Sequence, residues 1–241
     1  MTSPATLNAM DEAMAEAFVQ ARLQLLEAPP RAVVIAGQGR AFSAGGDLTM
    51  LRAKAQLDHQ TNRQRMMLFY GSFLDLRDLN VPLLCAIHGH AVGAGFCFAA
   101  ACDLRVADST AQFAAPFTRL GLCPGMGGSY FLPRSLGSET ARDLMLTGRR
   151  MGAQEARQLG FLSAVVPEGS LEEAVQQTLD GVLLGGPEAT RDLVCQQREA
   201  ERTVLHAALQ READAQARCY GRAEFLEGID ALAQKRAPNW R

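Results

Sequence analysis

Two short stretches place small residues where a backbone could do chemistry: "AFSAGGDL" at 41–48 and "GHAVGAGF" at 89–96. Each follows a run of aliphatic residues and leads into a helical pattern. Glycine and alanine there leave backbone N–H groups uncovered. At a helix start those groups carry partial positive charge suited to an anion or a developing oxyanion. Two such donors converging on one carbonyl oxygen would make an oxyanion hole, where a single donor is worth about 2.7–4 kcal/mol in the transition state. A purely mechanical reading fits the same residues, because Gly93, Ala94 and Gly95 also let a helix pack closely on a strand. Spacing alone leaves both readings open.

Side chains that could move a proton near these turns are few. Between Gly89 and Asp103 there is no carboxylate or lysine, and the thiols are Cys97 and Cys102. Cys97 would sit on the first turn of the helix after Gly93, where the dipole could lower a thiol pKa, or it could pack as a small hydrophobe. His90 precedes the turn, and His88 ends a strand-like run where it would satisfy a local hydrogen bond. His59 and Tyr70 fall in a helical region further upstream. Asp47 suits the start of a helix. Ser43 lies beside the first turn, but no motif places a histidine and an acid around it as a serine nucleophile requires. Four histidines without HxxxH spacing and six cysteines without a CxxC pair offer no metal-ligand set.

The elements that must hold these turns alternate. Residues 8–27 carry apolar positions Met10, Met14, Phe18, Ala21 and Leu25 at helical spacing, stopped by Pro29-Pro30. "RAVVIAG" and "PLLCAIHG" read as buried strands, "DLRVAD", "AQFAAP" and "LSAVVP" as further short ones. "QGRAFSAGGDL" reads as a structured loop. A second helical region covers about 47–79, broken near "LDHQTNRQ". Ser138 is expected to cap a helix that ends at Gly148, and "GAQEARQLG" reads as another short helix. From Ser170 the pattern is helical, with a hinge at Gly185-Gly186-Pro187. The charged run "ERTVLHAALQREADAQAR" reads as a solvated helix face. Strands alternate with helices to about residue 167 and helices follow, which predicts an α/β core of parallel strands at 1–167 and a helical region at 168–241.

Of 241 residues, 48% are hydrophobic and 21% charged, with net charge −2. That describes a globular chain able to bury one large core, with no general attraction to nucleic acid or an anionic membrane. No apolar run approaches the ~20 residues that span a bilayer, and no signal peptide is visible. Cysteines without a disulfide framework suit a reducing compartment, so a cytoplasmic location is expected.

Four motifs in order resemble the crotonase (enoyl-CoA hydratase/isomerase) superfamily. They are "AFSAGGDL", "GHAVGAGFCFAAACDLRVAD", "AQFAAPFTRLGLCPGMGGSYFLPRSLG" and "LMLTGRRMGAQEARQLGFLSAVVP". The similarity runs from Leu7 to "FLEGIDALAQKRAPNWR" at the C-terminus. It implies a crotonase-like spiral of ββα units with a helical C-terminal trimerisation region, assembled as a homotrimer or hexamer. The implied partner is an acyl-CoA or acyl-carrier-protein thioester, with coenzyme A as part of the substrate and no separate cofactor. The resemblance puts the backbone donors at Gly46 and Ala94. It sets Ala44, Asp47, Leu48, Phe117, Gly125 and Lys235 against the substrate, Lys235 toward CoA phosphate or ribose.

The same comparison exposes three departures. Where the hydratases carry two glutamates, this chain has Cys97 and Phe117. Where the isomerase branch carries its acid, after the proline of "GLCPGMGG", it has Gly125. Hydration, which needs general acid–base help of about 10²–10⁴-fold, is disfavoured. Motif similarity ranks double-bond migration first, then hydration, then decarboxylation or hydrolysis of the thioester. A silent acyl-CoA binder is the reading from another class. Family members also begin with a strand before the "LNAM" turn, and only "MTSPAT" precedes Leu7 here, so an edge strand is expected to be missing.

Overall fold

The computed structural model describes residues 1–240. Its strands are β1 (Val33–Ala36), β2 (Ala41–Ser43), β3 (Leu83–Ile87), β4 (His90–Val92), β5 (Leu104–Asp108), β6 (Gln112–Ala114), β7 (Arg150–Gly152) and β8 (Ala164–Val166). They form two four-stranded sheets, ordered β1-β3-β5-β8 and β2-β4-β6-β7. The first is wholly parallel. In the second, β6 and β7 run antiparallel, which departs from the all-parallel expectation. Three times the chain leaves a strand of the first sheet, bends within a few residues and enters a strand of the second: β1 to β2, β3 to β4, β5 to β6. Helical connections carry it to the next turn, so the fold is a spiral of ββα units.

The helices are α1 (Glu12–Glu27), α2 (Leu48–Ala53), α3 (His59–Leu74), α4 (Ala94–Ala101), α5 (Gly128–Leu136), α6 (Ser138–Thr147), α7 (Ala153–Gln158), α8 (Leu171–Leu183), α9 (Pro187–Tyr220) and α10 (Ala223–Ala233). α1 begins four residues later than its apolar spacing suggests. Leu7 and Asn8 both hold φ of 54°, outside any helix, and the Asp11 carboxylate caps the helix by accepting from Met14 N at 2.7 Å. The break in the second helical region falls at Leu57, after which Asp58 caps α3 through Thr61 N at 2.9 Å. Ser138 is the first residue of α6 rather than its cap; Gly137 holds that place and Ser138 makes no capping bond. β1 pairs only with β3 and lies at the edge of its sheet, while the Met1 carbonyl accepts from Gln38 N at 2.9 Å just beyond it.

α9 spans 34 residues, about 51 Å at 1.5 Å per residue, and buries a row of polar side chains. Arg198 donates to the Val81 carbonyl at 2.9 Å and the Asp103 carboxylate at 2.8 Å, tying the helix to the entrances of β3 and β5. Glu212 accepts from Gly127 N at 2.8 Å and Ser129 N at 2.7 Å, where α5 starts. Part of the run expected to be a solvated face is therefore buried. A charged run can hold a helix to a core when each charge finds a partner. No helix among the described residues is long and apolar enough to cross a membrane.

Candidate active site

A cavity of about 1170 Å³ opens between the two glycine turns, α3 and α10. Its walls are built from the backbone first. Gly45 has φ of 89°, and a Cβ there would lie 2.6 Å from the Val92 carbonyl oxygen and 3.4 Å from Ala94 N. Only glycine permits this approach, so the loop after β2 rests directly on the turn after β4. Met10 brackets Gly46, donating to the Gly45 carbonyl at 2.7 Å and accepting from Asp47 N at 3.0 Å. The N–H of Gly46 between them has no acceptor among the described residues. On the facing turn, Gly93 (φ 54°, ψ −120°) donates to the Ala114 carbonyl at 2.9 Å, and its own carbonyl accepts from Cys97 N to open α4. Ala94 is then the first helical residue, with an N–H that likewise has no acceptor. Both Gly46 and Ala94 line the cavity. The mechanical role expected of this turn is also present: a Cβ on Gly95 would fall 2.6 Å from Ser43 Cβ. Close packing and uncovered donors come from the same small residues.

The side chains fall into two groups. Ala44, Leu48, Phe117 and Gly125 line the cavity, as do Tyr70 and His90. Asp47 does not; its carboxylate caps α2 by accepting from Met50 N at 2.7 Å. Lys235 is exposed and outside the lining, while the next residue, Arg236, is in it. Cys97 is 0% exposed and also absent from the lining. It faces α5, where a Cβ on Gly128 would lie 2.6 Å from its sulfur. Burial pushes its thiol well above the usual range, so the helix dipole does not deliver a thiolate here, and the small-hydrophobe reading fits. His88 Nε2 meets the Gly39 carbonyl at 2.9 Å, and His59 pairs with Asp214 at 3.1 Å outside the cavity.

Gly125, where the isomerase-like acid would stand, is hemmed in by polar atoms. A Cβ there would lie 2.7 Å from the Tyr70 hydroxyl and 2.8 Å from Gln216 Nε2. Tyr70 donates to Gln216 Oε1 at 2.8 Å, Tyr220 approaches the same oxygen at 3.2 Å, and Gln216 Nε2 donates to the Cys123 carbonyl at 2.8 Å. Tyr70 and Gln216 are 1% and 4% exposed. Burial pushes the Tyr70 hydroxyl well up, so it stays protonated. A neutral network therefore fills the space of the absent carboxylate. Gln216 lies 91 residues from Gly125 in a run that reads as solvated, and no local sequence signal marks it.

Among the described residues no Asp or Glu lines the cavity, but four arginines do: Arg119, Arg149, Arg150 and Arg236. Two of them are matched by acids behind the wall, Arg149 by Asp143 (2.5 Å) and Glu155 (2.8 Å), and Arg236 by Glu227 (2.5 Å). No local sequence signal marks any of the four.

Known proteins resemble the chain along its whole length. A protein of Mycobacterium bovis named probable enoyl-CoA hydratase echA8 is 31% identical, covering 100% of this chain and 92% of its own length. The 2,3-dehydroadipyl-CoA hydratase of Escherichia coli K12 is also 31% identical, over 100% of this chain and 93% of that protein. The crystal structure of an enoyl-CoA hydratase from Mycobacterium avium subsp. paratuberculosis K-10 superimposes with a TM-score of 0.88 at 28% identity, covering 100% of this chain and 93% of that one. A family model described as enoyl-CoA hydratase/isomerase matches residues 1–241, and the chain belongs to that family.

Proposed function

We propose that the chain binds an acyl-CoA thioester with its carbonyl oxygen between the N–H groups of Gly46 and Ala94, and that it stabilises the enolate formed there. The observation that carries the reading is a pair of backbone donors without acceptors among the described residues, on two turns packed together through Gly45, both lining one cavity. When a proton leaves the α or γ carbon, its bonding electrons move onto the thioester oxygen, where the two donors meet the growing charge. Return of a proton at the other carbon shifts the double bond. Double-bond migration in an enoyl-CoA is accordingly the favoured reaction. Hydration would have to proceed without the two carboxylates that activate water, since the lining holds none among the described residues. Among the described residues His90 is the one imidazole in the lining. Tyr70, held neutral and bonded to Gln216, is a hydrogen-bond partner rather than a base. Assembly as a trimer or paired trimers belongs to the same reading.

The carboxylate-free lining favours one second reading, a thioester binder without turnover. Incubation in D₂O with saturated, 2-enoyl and 3-enoyl-CoA thioesters, followed by mass spectrometry, decides between them. Deuterium at the α or γ carbon, or a moved double bond, is expected. Measurable binding with every thioester recovered unlabelled and unchanged would replace the enzyme with the binder.

A further inference from the structure

Arg119 and Arg150 are the two lining arginines that no carboxylate matches; neither forms an ion pair among the described residues. They meet at one turn. Arg119 Nε donates to the Thr147 carbonyl at 2.9 Å, and a Cβ on Gly148 would come within 2.8 Å of that nitrogen. Gly148 closes α6 with φ of 60°, and Arg150 follows two residues later as the first residue of β7. The Arg119 side chain thus packs on Gly148, and Arg150, two residues along the chain, lines the same cavity.

The wall leading to this edge is apolar. Phe117 is the side chain nearest a Cβ placed on Gly93, at 3.9 Å, beside the donor Ala94. Leu120 and Leu122 continue the lining along the same turn, and Arg119 stands between Phe117 and Leu120. A short methylene chain laid from the thioester along this wall would run toward the turn that carries Arg119 and Arg150. Building on the acyl-CoA reading above, we propose that Arg119 and Arg150 form a subsite for an anionic group at the far end of the acyl chain, so that the preferred substrates are thioesters of dicarboxylic acids. Guanidinium presents paired donors that match a carboxylate, and a lining without acids among the described residues leaves the terminal nitrogens of both arginines to the ligand.

Phosphates of the CoA nucleotide share this chemistry, and the choice of carrier separates the two sources. Calorimetric titration would compare adipyl with hexanoyl thioesters, each carried on CoA and on pantetheine, which lacks the nucleotide. The expected result for the native chain is a preference for adipyl of about tenfold on both carriers, weakening as NaCl is raised because the edge is solvent-exposed. In the R119Q/R150Q double variant, folded by circular dichroism, the adipyl-to-hexanoyl ratio should fall to near one, while R119K/R150K should retain part of it. Equal affinity of the native chain for adipyl-CoA and hexanoyl-CoA would overturn the subsite and leave the acyl-CoA reading standing. A double variant that loses only the advantage of CoA over pantetheine would reassign the arginines to nucleotide phosphate and overturn it equally. Failure of every thioester to bind would remove both readings.

Discussion

Replacing Ala94 by proline tests the backbone donor with little disturbance of the fold. Ala94 is the first residue of α4, the position at which proline is best tolerated in a helix. Its N–H has no acceptor among the described residues, so no hydrogen bond between them is lost. The residue before it is Gly93, which has no Cβ for the proline ring to strike. The folded state should therefore lose no more than about 1 kcal/mol. Catalysis should lose much more. On the proposed reading the substitution removes one of two oxyanion donors, worth about 2.7–4 kcal/mol, which is about 10²–10³ in rate. The assay is deuterium uptake from D₂O at the α carbon of the best acyl-CoA, with thermal melts of both proteins in parallel. Ala94→Gly, which keeps the N–H, separates loss of the donor from change of the side chain and should cost far less. A folded A94P protein that exchanges within about threefold of the native rate would refute the placement of the carbonyl between Gly46 and Ala94.

Three further outcomes follow from the packing around the site. Cys97→Ala removes a buried sulfur at a cost of about 1 kcal/mol and should leave deuterium uptake within twofold; a collapse of exchange in a folded C97A protein would make the thiol the proton carrier. Burial raises the Glu212 carboxyl, so the folded chain holds that proton more tightly than the unfolded chain. Stability should fall as pH rises from the ordinary glutamate range, about 4.3, through the raised folded value. Urea midpoints across this window should flatten in Glu212→Gln, and equal slopes in both proteins would show that another group sets the dependence. Arg198→Ala strips the Asp103 carboxylate of its cation and the Val81 carbonyl of its donor. Because Asp103 is a quarter exposed, the expected loss is about 2–4 kcal/mol, and a denaturant-derived loss below about 1 kcal/mol would contradict the role given to Arg198.

The elements legible in the sequence are those with a strong local cause. β3 is apolar at every position because it is covered on both faces between β1 and β5, and "PLLCAI" announces it. α4 follows its glycine turn, and Pro29-Pro30 end the first helix region. The second sheet was harder to see. β2, β4 and β7 are three residues each, too short for any alternation to register, and glycine and polar residues surround them. "QGRAFSAGGDL" therefore reads as a loop although Ala41–Ser43 pairs with β4. At the site, the backbone turns were visible because glycine marks them. Gln216 and the four arginines were not, because a polar residue in a helix or turn looks solvated until the fold brings another segment over it. Cys97 shows the converse: its place on a helix start was legible, but its burial against Gly128 was not.

The seat of Gly45 on the Val92 carbonyl has one more consequence. In the proposed function the grip on a carbonyl would be recorded in the path of the main chain, and the handling of protons in side chains at separate places. Exchanging Phe117 or Gly125 for other residues rewrites the second record and leaves the first intact. A lineage built on this arrangement can change its reaction by single substitutions without ever passing through an ancestor that has forgotten how to hold its substrate.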